Sequence, residues 1–434
     1  MYKHMTKIWQ KSKSKSNTII EKYNTGDDFL MDMEIFTFDI LASIAHAEML
    51  GTIGILNKEE VKSLVLELNN ILKSFNDGKI KIRVEDEDCH TVIENLLIKK
   101  LGNVGKKIHT GRSRNDQVLT AVRLYTVNKL RIIATLNKDL TEAIISFAEK
   151  NKNSPLPGYT HTQQAMLSSF GHWSLSFVEG LINDQEILNK AIEINNQNPL
   201  GTAAGFGVSF PLDREYTRKK LNFDKNIINS LFAQASRGKF ESLTLESLSQ
   251  IMLTLSRFAT DMLFFTARET GFVKVSESLT TGSSIMPQKK NLDSMELIRG
   301  NASIIFSNQL AVKNIPKGVI SGYNRDLQLI KKPLIESLNI VQSSLEVVHE
   351  FIKGIEIDKD AVKIAIKKDI FAADMVNEMV EKDGISFRDA YVKVGQALDE
   401  VKDFSLEKNI ISKKSLGSPG NLDLNYYKKI LKKL

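Results

Sequence analysis

The sequence reads as an all-α protein: a central bundle of long helices between two smaller helical domains. Three observations carry this expectation. The eight prolines are Pro155, Pro157, Pro199, Pro211, Pro287, Pro316, Pro333 and Pro419, so residues 1–154, 212–286 and 334–418 contain none. Proline ends helix interiors, and these gaps leave room for long helices. Apolar residues recur at spacings of three and four through them, while the alternation that marks a half-buried strand is scarce.

Taken in order, residues 1–110 carry short helical patterns broken at Gly51, Gly54, Gly78, Gly102 and Gly105, and form a first domain. The central domain spans 111–355. Its first long run, Thr120 to Lys150, puts Leu124, Val127, Leu130, Ile133, Leu136, Leu140, Ile144 and Phe147 on one face. That is a single apolar stripe along roughly 45 Å of helix. A second run covers 167–194 and a fourth 334–352. The third, 243–270, repeats the stripe with Leu245, Leu248, Ile251, Met252, Leu255, Phe258, Met262 and Phe265. Helices this long pack lengthwise, which gives an elongated bundle whose stripes are core positions. From 356 to 434 the runs shorten again, with breaks at Gly384, Gly395 and Gly417, and make a third domain.

Composition narrows the function classes. The 434 residues are 42% hydrophobic and 26% charged, a globular balance with enough apolar side chains for a large core. The net charge of +7 is spread over Lys-rich runs such as YYKKILKKL, and by itself does not point to nucleic acid. Cys89 stands alone, so no disulfide or thiolate cluster is expected and the chain suits a reducing compartment. No stretch approaches the ~20 apolar residues of a membrane span. The start, MYKHMTKIWQKSKSKSNTII, is basic but lacks the apolar segment of a secretory signal. An organellar transit peptide stays open there, although the segment has no Arg. The expected compartment is the cytoplasm.

Six polar islands interrupt the helical pattern, each at the end of a helical run: TGDD (25–28), EDEDCHT (85–91), HTGRSRNDQ (109–117), GYTHTQQA (158–165), GSSIMPQKKN (282–291) and SGYNRDLQLIKK (321–332). Helix ends leave backbone N–H groups free, and a helix start carries partial positive charge. Together with hydroxyls, amides and Arg or Lys, such places suit carboxylates. A lone histidine is as a rule structural, but His161 is followed by Thr162, Gln163 and Gln164, which can fix its orientation for proton transfer. His90 and His109 stand equally as ligand contacts or structural groups. In the 280–291 stretch, Gly282 offers backbone freedom, Ser283 and Ser284 offer hydroxyls, and Lys289, Lys290 and Asn291 offer charge and an amide. A solvated connection is the plain reading; beside five other islands, a mobile loop closing over substrate is the stronger one. A metal site is not expected, because the seven histidines show neither HExxH nor paired short spacing. No phosphate loop occurs, and GTAAGFG (201–207) reads as a tight connection. No GxSxG elbow precedes Ser283.

GSSIMPQKKN resembles the signature loop of the fumarase/aspartase superfamily of lyases. HTGRSRNDQV, GYTHTQQA, DEDCHT, NPLGTAAGFGVSFPLDRE and YNRDLQLIK, in this order, make it similar to the argininosuccinate lyase family over about residues 7 to 360. The resemblance implies three helical domains, with the central helices of four subunits in a tetrameric twenty-helix core. It also implies a homotetramer with active sites shared between subunits, no cofactor, and cleavage of argininosuccinate to arginine and fumarate. By the same resemblance Ser283 is the base, Lys289 faces the carboxylate that gains charge, and His161 is the acid, oriented by Glu296. Base and acid remain exchangeable between Ser283 and His161. Ser113, Arg114, Asn115, Thr160 and Asn291 would hold the succinate part, Tyr323, Gln328 and Lys331 the arginine end, and His90 a further pocket position. Three departures stand out. Gly26 occupies the place of a usual serine, Leu292 that of a proline, and the substrate-binding arginine of the SxRD pattern falls on Gly238, with Arg237 or Lys239 as replacement. Another fumarate-releasing lyase of the superfamily (adenylosuccinate lyase, fumarase or aspartase type) and an inactive structural relative are the alternatives.

Overall fold

A computed structural model describes residues 18–402 and 404–433. The basic N-terminal stretch read above as lacking a secretory signal lies, up to residue 17, outside them. The described chain is predominantly helical, as expected. The four long runs form the helices Arg114–Lys150, Phe170–Asn195, Lys239–Phe265 and Lys331–Lys353, and Asp293–Asn314 adds a further long one. In Lys239–Phe265 all eight stripe residues are buried. In Arg114–Lys150, Val127, Leu130, Ile133, Leu140 and Ile144 are buried, with Leu124, Leu136 and Phe147 half-buried beside them. No helix among the described residues is long and apolar enough to cross a membrane.

Contacts divide the chain into two compact units. One comprises the described part of Met1–Ile132 with Leu188–Leu248 and Ile304–Ile340; the other comprises Ile133–Ile187, Ser249–Ser303 and Val341–Leu434. The sequence boundaries at 110 and 355 mark where helix length changes, which is a different criterion.

The first unit is organised around the helix Asp28–Thr52, whose Ile35, Phe36, Ile40, Ala45 and Leu50 are fully buried. The helix Lys58–Asn76 packs against it, with Phe36 and Phe75 stacked at 4.2 Å between ring centres. It starts in a capping box: Asn57 Oδ1 accepts from the Glu60 N–H at 2.9 Å, and Glu60 returns the bond to Asn57 N–H at 3.0 Å. Asp88 caps Cys89–Leu101 by accepting from Thr91 N–H at 2.6 Å. Asp116, in the first turn of Arg114–Lys150, is fully buried and accepts from the N–H groups of Ser113, Gly201 and Ala203 at 2.9, 3.0 and 2.9 Å. It thereby ties GTAAGFG to the start of that helix. Burial pushes the Asp116 carboxyl above its ordinary range, and these three donors work against that rise.

The second unit contains an aromatic cluster in which Trp173 lies against Phe170, Phe177, Phe258 and Phe265, with its Nε1–H donating to Asp261 at 2.8 Å. A smaller core joins Leu167 to Ile370, Phe371, Val376, Val394 and Ile410 of the C-terminal helices. One island departs from expectation here. GYTHTQQA does not end a helix; it is the tip of an antiparallel hairpin, Pro155–Thr160 paired with Gln163–Ser169. Val273–Val275 likewise pairs with Ile355–Ile357.

Candidate active site

Four islands belong to the first unit, and they meet at one cavity of about 290 Å³. Its walls come from Thr25 and Asp28 of the first island, from Glu87, Asp88, His90 and Thr91 of the second, and from His109, Arg114 and Asn115 of the third. The segment 323–334 closes it with Tyr323, Arg325, Gln328 and Lys331. Of the residues expected to bind substrate, His90, Arg114, Asn115, Tyr323, Gln328 and Lys331 therefore share one enclosure. Gly26 and Ser113 do not line it. Gly26 takes φ +50° in the turn before Asp28–Thr52 and donates its N–H to the Lys22 carbonyl at 2.9 Å, so the cavity contacts at this island fall to its neighbours Thr25 and Asp28. Ser113 Oγ accepts from Asn115 N–H at 3.2 Å and serves the helix start.

Charge in the cavity is largely paired. Lys331 Nζ lies 2.8 Å from Asp28 and 2.5 Å from Asp32. Burial alone would lower its ammonium pKa, but the two carboxylates outweigh burial and hold it well above the ordinary value. His90 Nδ1 meets Asp39 at 3.0 Å with both side chains fully buried. Burial opposes charge on each, yet their attraction raises the imidazole and, with Arg112, lowers the carboxyl. Arg114 sits 3.6 Å from Glu94 and 3.9 Å from Asp88, and donates to Thr91 Oγ1 at 3.2 Å. His109 is driven down to about 4 by burial and the neighbouring Arg112 and Arg114, so its ring is neutral at pH 7.

Asp32, Cys89 and His90 bring three metal-type donor atoms within 4.8 Å of one another. The set does not fit an ion. Asp32 already binds Lys331 and the Cys89 N–H (2.9 Å), and His90 Nδ1 is committed to Asp39. Burial and the surrounding carboxylates push the Cys89 thiol far above its ordinary value, so a thiolate ligand is disfavoured. Asp32 and His90 line the cavity wall, and Cys89 is buried beside them.

The second unit holds Thr160 and His161 on the hairpin tip and Ser283, Lys289, Asn291 and Glu296 on or after the 280–291 loop. His161 and Thr162 form a two-residue turn with φ of +51° and +61°, the left-handed geometry that glycine or asparagine usually supplies. The turn lifts the His161 ring into solvent. The loop is pinned at its base, where Thr281 pairs with Asn291 and Gly282 with Lys290. Thr281 Oγ1 donates to Asp293 at 2.6 Å, and Lys290 pairs with Glu277 at 2.7 Å. Among the described residues no carboxylate stands within 4 Å of Lys289, which distinguishes it from its neighbour. Ser283 Oγ accepts from the N–H of Met286 at 3.1 Å and of Ile285 at 3.4 Å. Donors aimed at a hydroxyl oxygen favour its anionic form. Gly282 is not in a left-handed conformation, and a Cβ there would meet nothing within 4 Å, so no bend requires it in this state. Within this single chain the described residues of the hairpin tip and of the loop exchange no hydrogen bond or ion pair, His161 and Glu296 included.

The Lyase family pattern matches residues 9–307. An argininosuccinate lyase of Thermotoga neapolitana is 44% identical over 397 residues, covering 92% of this chain and 99% of that one. One from Bacteroides thetaiotaomicron is 40% identical over 96% of this chain and 92% of its own length. The chain belongs to the argininosuccinate lyase family. Its fold is also that of EDDS lyase in complex with formate (TM-score 0.81, 21% identity, covering 97% of this chain and 91% of that one). A fumarate lyase:delta crystallin from Brucella melitensis bound to cobalt is similar too (TM-score 0.75, 18% identity, 96% and 94% covered).

Family membership leaves the Gly238 departure to be explained, and the local structure does so. Gly238 takes φ +81°, and a Cβ there would approach Pro316 Cγ to 2.7 Å and Ile330 Cδ1 to 3.2 Å. No larger residue fits. The side chain that reaches the cavity is Arg237, one position earlier, whereas Lys239 is exposed and does not line it. Asp28, Asp32 and Glu87 were also missed as cavity groups; the acidic runs TGDD and EDED were the available signal for Asp28 and Glu87.

Proposed function

We propose that this chain cleaves argininosuccinate to arginine and fumarate by anti β-elimination, the last step of arginine biosynthesis, as a cytoplasmic homotetramer. The observation that carries the reading is the near full-length likeness to argininosuccinate lyases, in a chain that holds GRSRND, GYTHTQQA and SSIMPQKKN. In this reading Ser283 Oγ, with the two loop N–H groups favouring its anion, removes the weakly acidic Cβ proton of the succinyl part. Charge moves into the adjacent carboxylate, giving an aci-carboxylate dianion that Lys289 faces. The C–N bond then breaks, its electron pair passes to the guanidino nitrogen, and His161 supplies the proton, with Glu296 orienting its ring. Thr160, Asn291, Ser113, Arg114 and Asn115 hold the succinate part; Tyr323, Gln328 and Lys331, with His90 behind them, hold the arginine end. No cofactor enters.

The tetramer gathers these groups from different subunits. Its support is the helix Asp293–Asn314, which leaves Leu297, Gly300, Ile304, Ser307 and Ala311 on one solvent-facing, uncharged row. Fumarate release from argininosuccinate, followed by ultraviolet absorbance, tests the reading. Turnover is expected there and not with adenylosuccinate, malate or aspartate. A folded tetramer inert toward argininosuccinate sinks it.

A further inference from the structure

A second cavity, of about 480 Å³, lies in the second unit and shares no residue with the site above. One wall is a face of the helix Phe170–Asn195, where His172, Leu175, Ser176 and Glu179 recur at helical spacing. The other is the segment 416–427, through Leu416, Leu422, Asp423, Tyr426 and Tyr427. His172 bonds the Gly417 backbone across the gap, and its Nδ1 lies 2.9 Å from Ser168 Oγ. Burial lowers its pKa against the Gly417 bond, so the ring is neutral at pH 7. No Lys or Arg lines the cavity; its charged groups are Glu179 and Asp423. Among the described residues neither carboxylate has a cationic side chain within 4 Å. The lysines near them in sequence are engaged elsewhere, Lys428 with Glu149 at 2.8 Å and Lys413 with Asp374 at 3.4 Å. Tyr427 is only 8% exposed, yet its hydroxyl has no hydrogen-bond partner among the described residues. Burial, and then the charge of nearby Glu179 and Asp423, raises its phenol, so the hydroxyl and the carboxylates share a neighbourhood without bonding one another. A buried hydroxyl left without a partner is costly, and a donor entering the cavity would remove that cost.

We propose that this cavity binds a small aliphatic diamine, with one ammonium group at Glu179, the other at Asp423, and the carbon chain against Leu175, Leu416 and Leu422. An ammonium group donates to the Tyr427 hydroxyl as well as to a carboxylate, and the half-exposed Tyr426 ring offers it a cation–π face. The leucines choose between organic and inorganic cations: they suit methylene groups, whereas a metal ion takes oxygens alone. The lack of a cation in the wall chooses between amines and amino acids, because a ligand carboxylate would enter without a partner. The chain as a whole carries +7, so general electrostatics do not gather cations here, and the attraction has to be local. Nothing in this assignment depends on the lyase reading.

The test is calorimetric binding to the full-length protein at about 0.15 M salt, where a Debye length of about 8 Å screens loose attraction. The probes are α,ω-diamines of about three to six carbons, butylamine, L-ornithine and magnesium ion. At least one diamine should bind saturably, and roughly tenfold more tightly than butylamine, which lacks the second charge-assisted contact. L-Ornithine, which adds a carboxylate to the four-carbon diamine, should be weaker by a similar factor. Glu179→Gln and Asp423→Asn should each bring the diamine down to the affinity of butylamine, and Tyr427→Phe should weaken it several-fold. Glu179 is exposed and Asn caps a helix as Asp423 does, so both acidic variants should fold. Glu186→Gln, on the same helix but outside the cavity, should bind like wild type. Absence of saturable diamine binding, equal binding of butylamine, or full affinity in either acidic variant or in Tyr427→Phe overturns the proposal. So does a loss in Glu186→Gln as large as in Glu179→Gln, which makes the binding a matter of general charge. Magnesium binding that needs Glu179 and Asp423, with no diamine binding, overturns it in favour of an inorganic site.

Discussion

Ser283 illustrates how much a single side chain depends on its surroundings. A free hydroxyl is a poor base, and what distinguishes Ser283 from Ser284 beside it is the pair of loop N–H groups converging on its oxygen. Lys289 and Lys290 are separated in the same way, by the carboxylate that only Lys290 has. Sequence adjacency alone ranks neither pair; the turn from Ser283 to Met286 and the strand pairing of Lys290 do. Ser283→Ala should lower kcat by at least ~10³-fold, toward the upper range of a lost proton-transfer group. Circular dichroism and assembly should stay at wild-type values, because the hydroxyl is half-buried at a loop tip. A near-normal rate in that variant would remove Ser283 as the base.

The helices were legible because their signal is periodic and long. Eight of eight stripe positions in Lys239–Phe265 are buried, as a 3.6-residue repeat requires of a helix covered on one face. The hairpin Pro155–Ser169 was hidden for the opposite reason. Its turn is His161–Thr162, with none of the Asn-Gly or Asp-Gly chemistry that announces a two-residue loop, and neither strand, PLPGYT nor QQAMLSS, alternates apolar with polar residues. A β-branched residue at φ +61° carries strain of roughly 1–2 kcal/mol, which the surrounding structure imposes. The adjacent Gln164 side chain donates to the Ala365 carbonyl at 2.7 Å and ties the tip to the C-terminal part of the chain. Local strain beside a proposed catalytic group suggests that the turn sets where His161 points. Thr162→Gly should relieve that strain, partly offset by glycine's backbone entropy, for a net gain of about 0.5 kcal/mol in urea unfolding. It should also lower kcat several-fold by loosening the tip. If kcat is unchanged while stability rises, the turn does not position His161.

Under the proposed function the cavity of one subunit and the loop of another act together, and the helix Asp293–Asn314 is the surface that this reading assigns to the assembly. Along Asp293–Asn314 the buried face carries Met295, Ile298, Ala302 and Ile305, which satisfies one side of the helix. The other side leaves Leu297 at 64% and Ile304 at 41% exposure, seven residues apart, with Gly300 and Ser307 between and after them. A row of small and aliphatic residues at that spacing lets another helix approach closely, and a solvated helix face of this length would ordinarily carry charge. Replacing Leu297 and Ile304 together with Asp places two carboxylates on the row. Both side chains face solvent in the isolated chain, so the chain should still fold, and its helical circular dichroism should match wild type. Its mass by light scattering should fall from about four chains to one, near 48.8 kDa. Fumarate release should vanish with it, because Ser283 and Lys289 would no longer meet the cavity of another subunit. A double variant that keeps the wild-type mass would show that this row is not the contact, and one that becomes a folded, active monomer would show that the proposed site is complete within one chain.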